Sequence, residues 1–300
     1  MSFRFDFGGS SAAHNSTDNE MEAKSEAVEA IPSSKVLPPQ NDKLSLVMGE
    51  TVVSINEGHL FRRCLADMKV EAAESNVIEG GWLDRVMLEN TDLINGVYEG
   101  GFKTWECSLD MVKYLDEFSS DLFRGKRILE LGCGSALPGL YCLAKGSHVD
   151  FQDYNELVIK MVTMPNVLIN TVSKPVVDGI DERGTFEVEV QMSQLNQISC
   201  GFYAGDWGSL NPNGDDKYDM ILTSETIYST ESHQKLHNVM RRSLTPGGHI
   251  LVAAKKTYFG CSGDLLQFLM LVQKLGVFSI ETKREFALGV HRVIVQLAFL

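Results

Sequence analysis

The run Ile128-Leu129-Glu130-Leu131-Gly132-Cys133-Gly134-Ser135-Ala136-Leu137-Pro138-Gly139 constrains what this chain can fold into more than any other segment. Its apolar start reads as a short buried strand at 127–131, and residues 137–145 read as the helix that follows a glycine turn. Glycine at 132 and 134 lets the backbone turn tightly and come close to a ligand where a side chain would collide. The helix start beyond it offers unpaired N–H groups to polar ligand atoms.

About twenty residues on, at the spacing of nucleotide-binding sheets, a second strand at 148–152 ends in Phe151-Gln152-Asp153-Tyr154-Asn155. An acidic side chain at that tip accepts hydrogen bonds from paired sugar hydroxyls, so Asp153 is a candidate ribose ligand. A nicotinamide dinucleotide would be held by the same logic. The dinucleotide fingerprint, however, asks for a third Gly or Ala three residues after the second glycine, and Leu137 stands there.

Strands and helices alternate around this unit. Helices are predicted at 105–118, 157–169 (interrupted near Pro165), 231–244 and 265–275, and strands at 201–204, 220–223 and 249–254. Two strand-like runs, 278–286 and 290–299, end the chain. The pattern predicts an α/β fold with a mostly parallel sheet covered on both faces and closed by an antiparallel hairpin. This main domain spans 93–300, with a polar stretch at 173–197 read as a surface insertion. Residues 43–92 form an accessory segment with a strand-like 51–55 and a helix-like 61–70. Residues 1–42, rich in Ser, Ala, Asn, Glu and Pro, read as a mostly disordered arm. Its tip, Phe3-Arg4-Phe5-Asp6-Phe7, alternates like a short strand or a docking peptide.

Composition narrows the function. A net charge of −13 argues against a protein that neutralises nucleic-acid phosphates and favours a cationic partner. No apolar run is long enough to span a membrane, and the first residues lack a signal peptide's apolar stretch, so a soluble, intracellular protein is expected. Cys64, Cys107, Cys133, Cys142, Cys200 and Cys261 contain no C-x-x-C pair, which suggests free thiols and no metal site.

Glu130-Leu131-Gly132-Cys133-Gly134-Ser135 resembles motif I of the class I methyltransferases. Gly205-Asp206-Trp207 resembles their adenine-side loop, Asp219-Met220-Ile221-Leu222-Thr223-Ser224-Glu225-Thr226-Ile227-Tyr228 their strand four, and Leu244-Thr245-Pro246-Gly247-Gly248-His249-Ile250 their turn into strand five. The Glu225-Thr226-Ile227-Tyr228 signature is similar to that of methyltransferases acting on protein side chains, mostly lysine. Together with Ile94-Asn95-Gly96-Val97-Tyr98-Glu99-Gly100-Gly101 and Trp105-Glu106-Cys107, it resembles the protein-histidine methyltransferases that modify a large-subunit ribosomal protein of the L-three type.

The resemblance implies a Rossmann-like, seven-stranded sheet and S-adenosylmethionine as cofactor. It implies cofactor contacts from Thr104, Trp105, Glu106, Cys107, Ser108, Gly132, Gly134, Gln152, Asp153, Tyr154, Gly205, Asp206, Trp207 and Ser224. In these roles Trp207 packs on the adenine and Glu106 accepts a hydrogen bond from the methionyl amine. Cys133 is expected to serve as a small apolar residue facing cofactor or core. The implied partner is a basic ribosomal protein, free or within a preribosomal particle, with the enzyme in cytoplasm and nucleus or nucleolus; a monomer is expected because no exposed apolar heptad or strand edge in the sequence demands a partner.

The reaction is a direct displacement in which a nitrogen attacks a sulfonium methyl, so alignment dominates. A lysine acceptor must first lose a proton, at ~4 to 5 kcal/mol near neutrality, whereas histidine is mostly neutral and needs only the right tautomer. Glu225, or a backbone oxygen of its turn, is the candidate to hold the imidazole N–H, and Tyr228 the candidate to wall the acceptor. A structural role for Glu225 in the strand-four turn stays open, as do a lysine methyltransferase and a non-catalytic, cofactor-binding assembly factor. His233 and His237 are expected on the exposed and half-buried faces of one helix, without a catalytic role.

Overall fold

The computed structural model describes residues 31–39, 43–55, 58–63, 68, 86, 92–94, 96–171, 186–212 and 217–300. Eleven strands are described: β1 (Ser34–Lys35), β2 (Lys43–Ile55), β3 (Gly58–Arg63), β4 (Arg127–Leu131), β5 (His148–Asp153), β6 (Phe186–Gln191), β7 (Cys200–Ala204), β8 (Tyr218–Ser224), β9 (Leu244–Lys255), β10 (Phe278–Phe286) and β11 (Arg292–Phe299). The main helices are α1 (Glu106–Leu115), α2 (Leu137–Ala144), α3 (Met164–Thr171), α4 (Thr230–Ser243) and α5 (Leu265–Leu275).

One sheet has the order β1-β7-β5-β4-β8-β9-β11-β10. Strands β7, β5, β4, β8 and β9 run parallel, β11 and β10 form the expected antiparallel hairpin, and β1 adds antiparallel to β7. Period-two alternation fills both faces. Ile128 packs with α1, α2 and α3 on one side, while Leu129 and Leu131 pack with α4 and α5 on the other. The order reverses on either side of β4, which opens a crevice at the carboxyl ends of β4 and β8.

This is the expected Rossmann-like architecture, with eight strands in place of seven. The extra strand comes from the arm expected to be disordered. Ile31 accepts from Asp206 N, Ser33 N donates to Ser209 Oγ and Val36 N donates to Phe202 O, so residues 31–36 follow the edge of β7. Val36 is buried beneath this edge. The Phe3–Phe7 tip lies outside the described residues.

A second sheet, β3-β2-β6, brings together two segments that the sequence reading treats separately. β2 of the accessory segment pairs with β6, which falls within the 173–197 stretch read as an insertion. Phe61, expected in a helix, lies in β3. The free edge of β3 is satisfied by side chains of α3. Asn170 clasps Phe61 through both its amide N–H and carbonyl, and Asn166 Oδ1 accepts from Arg63 N. Pro165 sets this arrangement up. Proline lacks an N–H and crowds the carbonyl four residues back, and the helical run widens into a π turn over Ile159–Thr163 just before it. The freed carbonyl of Met161 accepts from Arg63 Nη1 at 2.9 Å.

His233 and His237 are both buried, contrary to expectation, because α4 lies against α5 and the start of β10. His233 meets Phe268 edge-on and His237 meets Phe278. No helix among the described residues is long and apolar enough to cross a membrane.

Close packing of α2 on the sheet rests on Gly139, two residues beyond the expected fingerprint position. A Cβ there would come within 2.4 Å of Glu130 Oε2 and 2.5 Å of the Phe151 ring. Its N–H donates to the same Glu130 oxygen at 2.8 Å. We expect Gly139→Ala to destabilise the fold by about 1–3 kcal/mol, read as a lower urea midpoint at unchanged m-value.

Candidate active site

A cavity of about 880 Å³ opens where β4, β5 and β8 end. It is lined by the glycine turn, by the loop before α1 and by the turns after β5, β7, β8 and β9. Gly132 has φ +64°, and a Cβ there would strike Thr226 Cγ2 at 2.5 Å, so only glycine fits between β4 and β8. Gly134, with φ +47°, sits 3.2 Å in Cβ terms from the carbonyl of Gly101, closing the loop over the turn.

Gln152 organises the adenine-side end. Its fully buried amide donates to Gly205 O at 2.8 Å and accepts from Trp207 Nε1 at 2.7 Å and Gly132 N at 3.3 Å. Gln152 therefore does not line the cavity; it fixes the residues that do. Trp207 lines it with a defined ring orientation, and Asp206 beside it pairs with Lys235 at 2.8 Å.

Asp153 closes the other side of the turn. Its carboxylate accepts from Gly134 N at 2.9 Å and Asn155 N at 3.2 Å. A carboxylate has about four lone-pair sites, which leaves acceptor capacity facing the cavity. Burial pushes its pKa up to about 6 against those two hydrogen bonds. Ser224 Oγ, also on the lining, is buried without a partner, so the end of β8 holds a hydroxyl for a ligand. Burial keeps the Cys133 thiol protonated, consistent with an apolar lining residue.

Of the residues expected at the cofactor, Trp105, Ser108, Gly132, Gly134, Asp153, Tyr154, Gly205, Asp206, Trp207 and Ser224 line the cavity, as do Glu225 and Tyr228. Thr104, Glu106, Cys107 and Gln152 do not. Glu106 instead points at Lys255, which bridges it at 2.9 Å to Glu225 at 3.1 Å. Burial would lower the Lys255 pKa, but the Glu106 hydrogen bond and the Glu225 charge outweigh it and raise it; the same bond holds Glu106 low. Glu225 adopts a left-handed φ of +58° and its Oε1 accepts from Cys107 N, the first turn of α1, at 3.2 Å. Its carboxylate thus ties the β8 turn to α1.

Two participants were not singled out in the sequence. Lys255 ends β9, a cation at the carboxyl end of an apolar strand and followed by Lys256, and that position was its signal. Glu99 lies in the quoted loop motif. Its Oε1 accepts from Gly96 N at 2.7 Å and its Oε2 from the Tyr228 hydroxyl. Burial, reinforced by Glu99, holds the Tyr228 hydroxyl well above its usual pKa. Among the described residues no cluster suited to a metal ion occurs.

A family model described as lysine methyltransferase matches residues 91–273. The chain is 42% identical over 208 residues to a histidine protein methyltransferase 1 homolog of Dictyostelium discoideum, covering 69% of this chain and 60% of that one. It is 34% identical over 239 residues to the Bos taurus homolog, covering 77% and 64%. It is 36% identical over 244 residues to histidine protein methyltransferase 1 of Schizosaccharomyces pombe, covering 73% and 70%. The chain thus spans roughly 60 to 70% of the length of these relatives.

The Lys255 bridge yields an asymmetric prediction. Lys255→Met leaves the buried Glu225 carboxylate without its cation and should cost about 3 kcal/mol. Glu106→Gln removes only a largely exposed carboxylate and should cost less than about 1 kcal/mol. Equilibrium urea unfolding of both variants checks the contrast.

Proposed function

This chain belongs to the histidine protein methyltransferase family of class I methyltransferases, and on that premise we propose that it transfers a methyl group from S-adenosylmethionine to a histidine ring nitrogen of a large-subunit ribosomal protein of the L-three type. The observation that carries this reading is the cavity itself: a ribose-type carboxylate, Asp153, and an unpartnered Ser224 hydroxyl lie on one lining with the polar pair of Tyr228 and Glu99.

The residues present suit this cofactor. Gly132 and Gly134 leave backbone exposed where a side chain would intrude, Trp207 offers a ring face for adenine, Asp153 retains acceptor capacity for ribose hydroxyls, and Ser224 Oγ awaits a partner. When bound, S-adenosylmethionine supplies an electrophilic methyl on a sulfonium centre. The protein's contribution is to hold the acceptor nitrogen in line and to keep water out of the cavity.

Histidine as acceptor fits an enzyme that has little proton removal to do beforehand, because a neutral imidazole near pH 7 already carries a lone pair. The net charge of −13 suits a basic protein substrate. A ribosomal protein made in the cytoplasm and assembled in the nucleolus would place the enzyme in either compartment, acting as a monomer on free protein or on a preribosomal particle. A lysine acceptor is the second reading, favoured by the description of the matching family model.

Incubation of the protein with methyl-labelled S-adenosylmethionine and purified ribosomal proteins, followed by hydrolysis, should give labelled methylhistidine. Asp153→Ala should abolish it, since losing charge-assisted hydrogen bonds worth ~1.5–3 kcal/mol each weakens cofactor binding more than tenfold. Label in methyllysine would move the enzyme to the second reading. Cofactor affinity should also fall as pH drops from 7.5 to 5.5, because the Asp153 carboxyl, at about 6, loses its charge over that interval. Calorimetric titration with S-adenosylhomocysteine reads this, and Asp153→Asn should remove the pH dependence.

A further inference from the structure

We propose that Glu99 and Tyr228 act as one coupled proton acceptor for the nitrogen of the acceptor side chain opposite the one being methylated. The proposal rests on the histidine reading above and deepens it.

Tyr228 donates its hydroxyl proton to Glu99 Oε2, so the lone pairs of its oxygen are left for the cavity it lines. A hydroxyl that donates to a carboxylate is a stronger acceptor than a free one. Both partners are held from behind. Gly96 N occupies Glu99 Oε1, Glu99 N donates to Asn155 Oδ1 at 3.1 Å, and Asn155 Nδ2 donates to Val97 O at 2.7 Å. Gly263 N fixes the carbonyl of Tyr228 at 2.7 Å, and the Tyr258 ring stands edge-on to its ring, with centroids 6.4 Å apart. The pair therefore joins the loop before α1 to the turn after β8, with each partner anchored by further hydrogen bonds.

Most other carboxylates on the lining are committed elsewhere, Glu130 among them at Gly139 N, while Glu231 is exposed in the first turn of α4. Asp92 pairs with Lys103, Asp206 with Lys235 and Glu225 with Lys255, while Asp153 holds the glycine turn. Glu225, the candidate suggested by sequence, has one oxygen on Cys107 N and the other beside an ammonium. Glu99 differs in being joined to a cavity-facing hydroxyl. The charged and titratable groups acting on Tyr228 are Glu99, Asp153 and Cys261, and of these only Glu99 bonds to it.

The step balances as follows. The lone pair of one imidazole nitrogen forms the N–CH3 bond, and the electron pair of the breaking S–CH3 bond stays on sulfur. The N–H proton of the other ring nitrogen passes to Tyr228 Oη as the tyrosine's own proton passes to Glu99. The product leaves as neutral methylhistidine, and the protonated Glu99 exchanges with solvent. Before transfer the same contact selects the tautomer that presents the attacking lone pair.

The test uses the full chain, methyl-labelled S-adenosylmethionine and purified ribosomal proteins. Glu99→Gln and Tyr228→Phe, both near-isosteric, should each lower kcat about 100-fold. S-adenosylhomocysteine affinity and melting temperature should stay near wild type. The double variant should lose no more than either single one, because both remove the same path. Losses that multiply in the double variant, a kcat unchanged in Glu99→Gln, or an effect confined to KM would overturn the pair while wild-type histidine methylation stands. Wild-type protein that labels no histidine would overturn the reading on which the pair rests.

Discussion

One buried amide holds the site together. Gln152 sits at the end of β5 with no exposed surface, and its three hydrogen bonds reach the turn after β4, the carbonyl after β7 and the indole of Trp207. Gly205 and Trp207 lie in the loop after β7 and Gly132 in the turn after β4, so the positions of those two loops relative to the end of β5 depend on one side chain. An amide suits the task because it donates and accepts in one plane. A carboxylate there could not donate to Gly205 O, and an apolar residue would leave Trp207 Nε1 and the Gly205 carbonyl unpaired at ~1–3 kcal/mol each. The glycine turn, which carries the strongest sequence signal, is therefore shaped in part by a residue that does not line the cavity.

A second constraint works from the opposite side. The left-handed backbone at Glu225 costs a non-glycine residue roughly 1–2 kcal/mol, offset by the Cys107 amide and the Lys255 ammonium that meet its carboxylate. That turn re-aims the chain after β8, so that Ser224 and Tyr228 both line the cavity while Glu225 anchors α1. Residues 31–36 add to the support, since Gly205 has no room for a Cβ against Pro32 and Ser33, and Asp206 N is bonded to Ile31 O. An arm strand and the left-handed turn at Glu225 thus fix the loops that line the cavity.

The parts legible in the sequence are those governed by local pattern. β4, β5 and α5 fall at or within a residue of where apolar periodicity puts them, because each is buried on both faces or amphipathic. β1 was not legible: Ser34 and Lys35 carry no strand pattern and are ordered by the open edge of β7. The pairing of β2 with β6 joins segments far apart in sequence, and no local rule connects Leu44 to Val190. The burial of His233 and His237 comes from the packing of α4 on α5 and β10, which helix periodicity alone does not reveal. At the site, position at a strand tip pointed to Asp153, and the family resemblance of its loop to Trp207. The pairing of Glu99 with Tyr228 and the capture of Glu106 by Lys255 depend on loops meeting in space.

Those loop contacts also bear on the choice of acceptor. Lys103, Lys235 and Lys255 line the cavity, and each is paired with an acid that would otherwise attract a cation. A lysine substrate would first have to give up its proton, at ~4–5 kcal/mol near neutrality, and Asp92, Asp206 and Glu225 on the lining are already paired with lysines. An imidazole meets no such barrier. It brings a lone pair at neutral pH, and what it needs from the protein is one well-placed acceptor for its remaining N–H. A hydroxyl polarised by a carboxylate meets that need more closely than it meets the need to deprotonate an ammonium ion, and this supports the histidine acceptor proposed above.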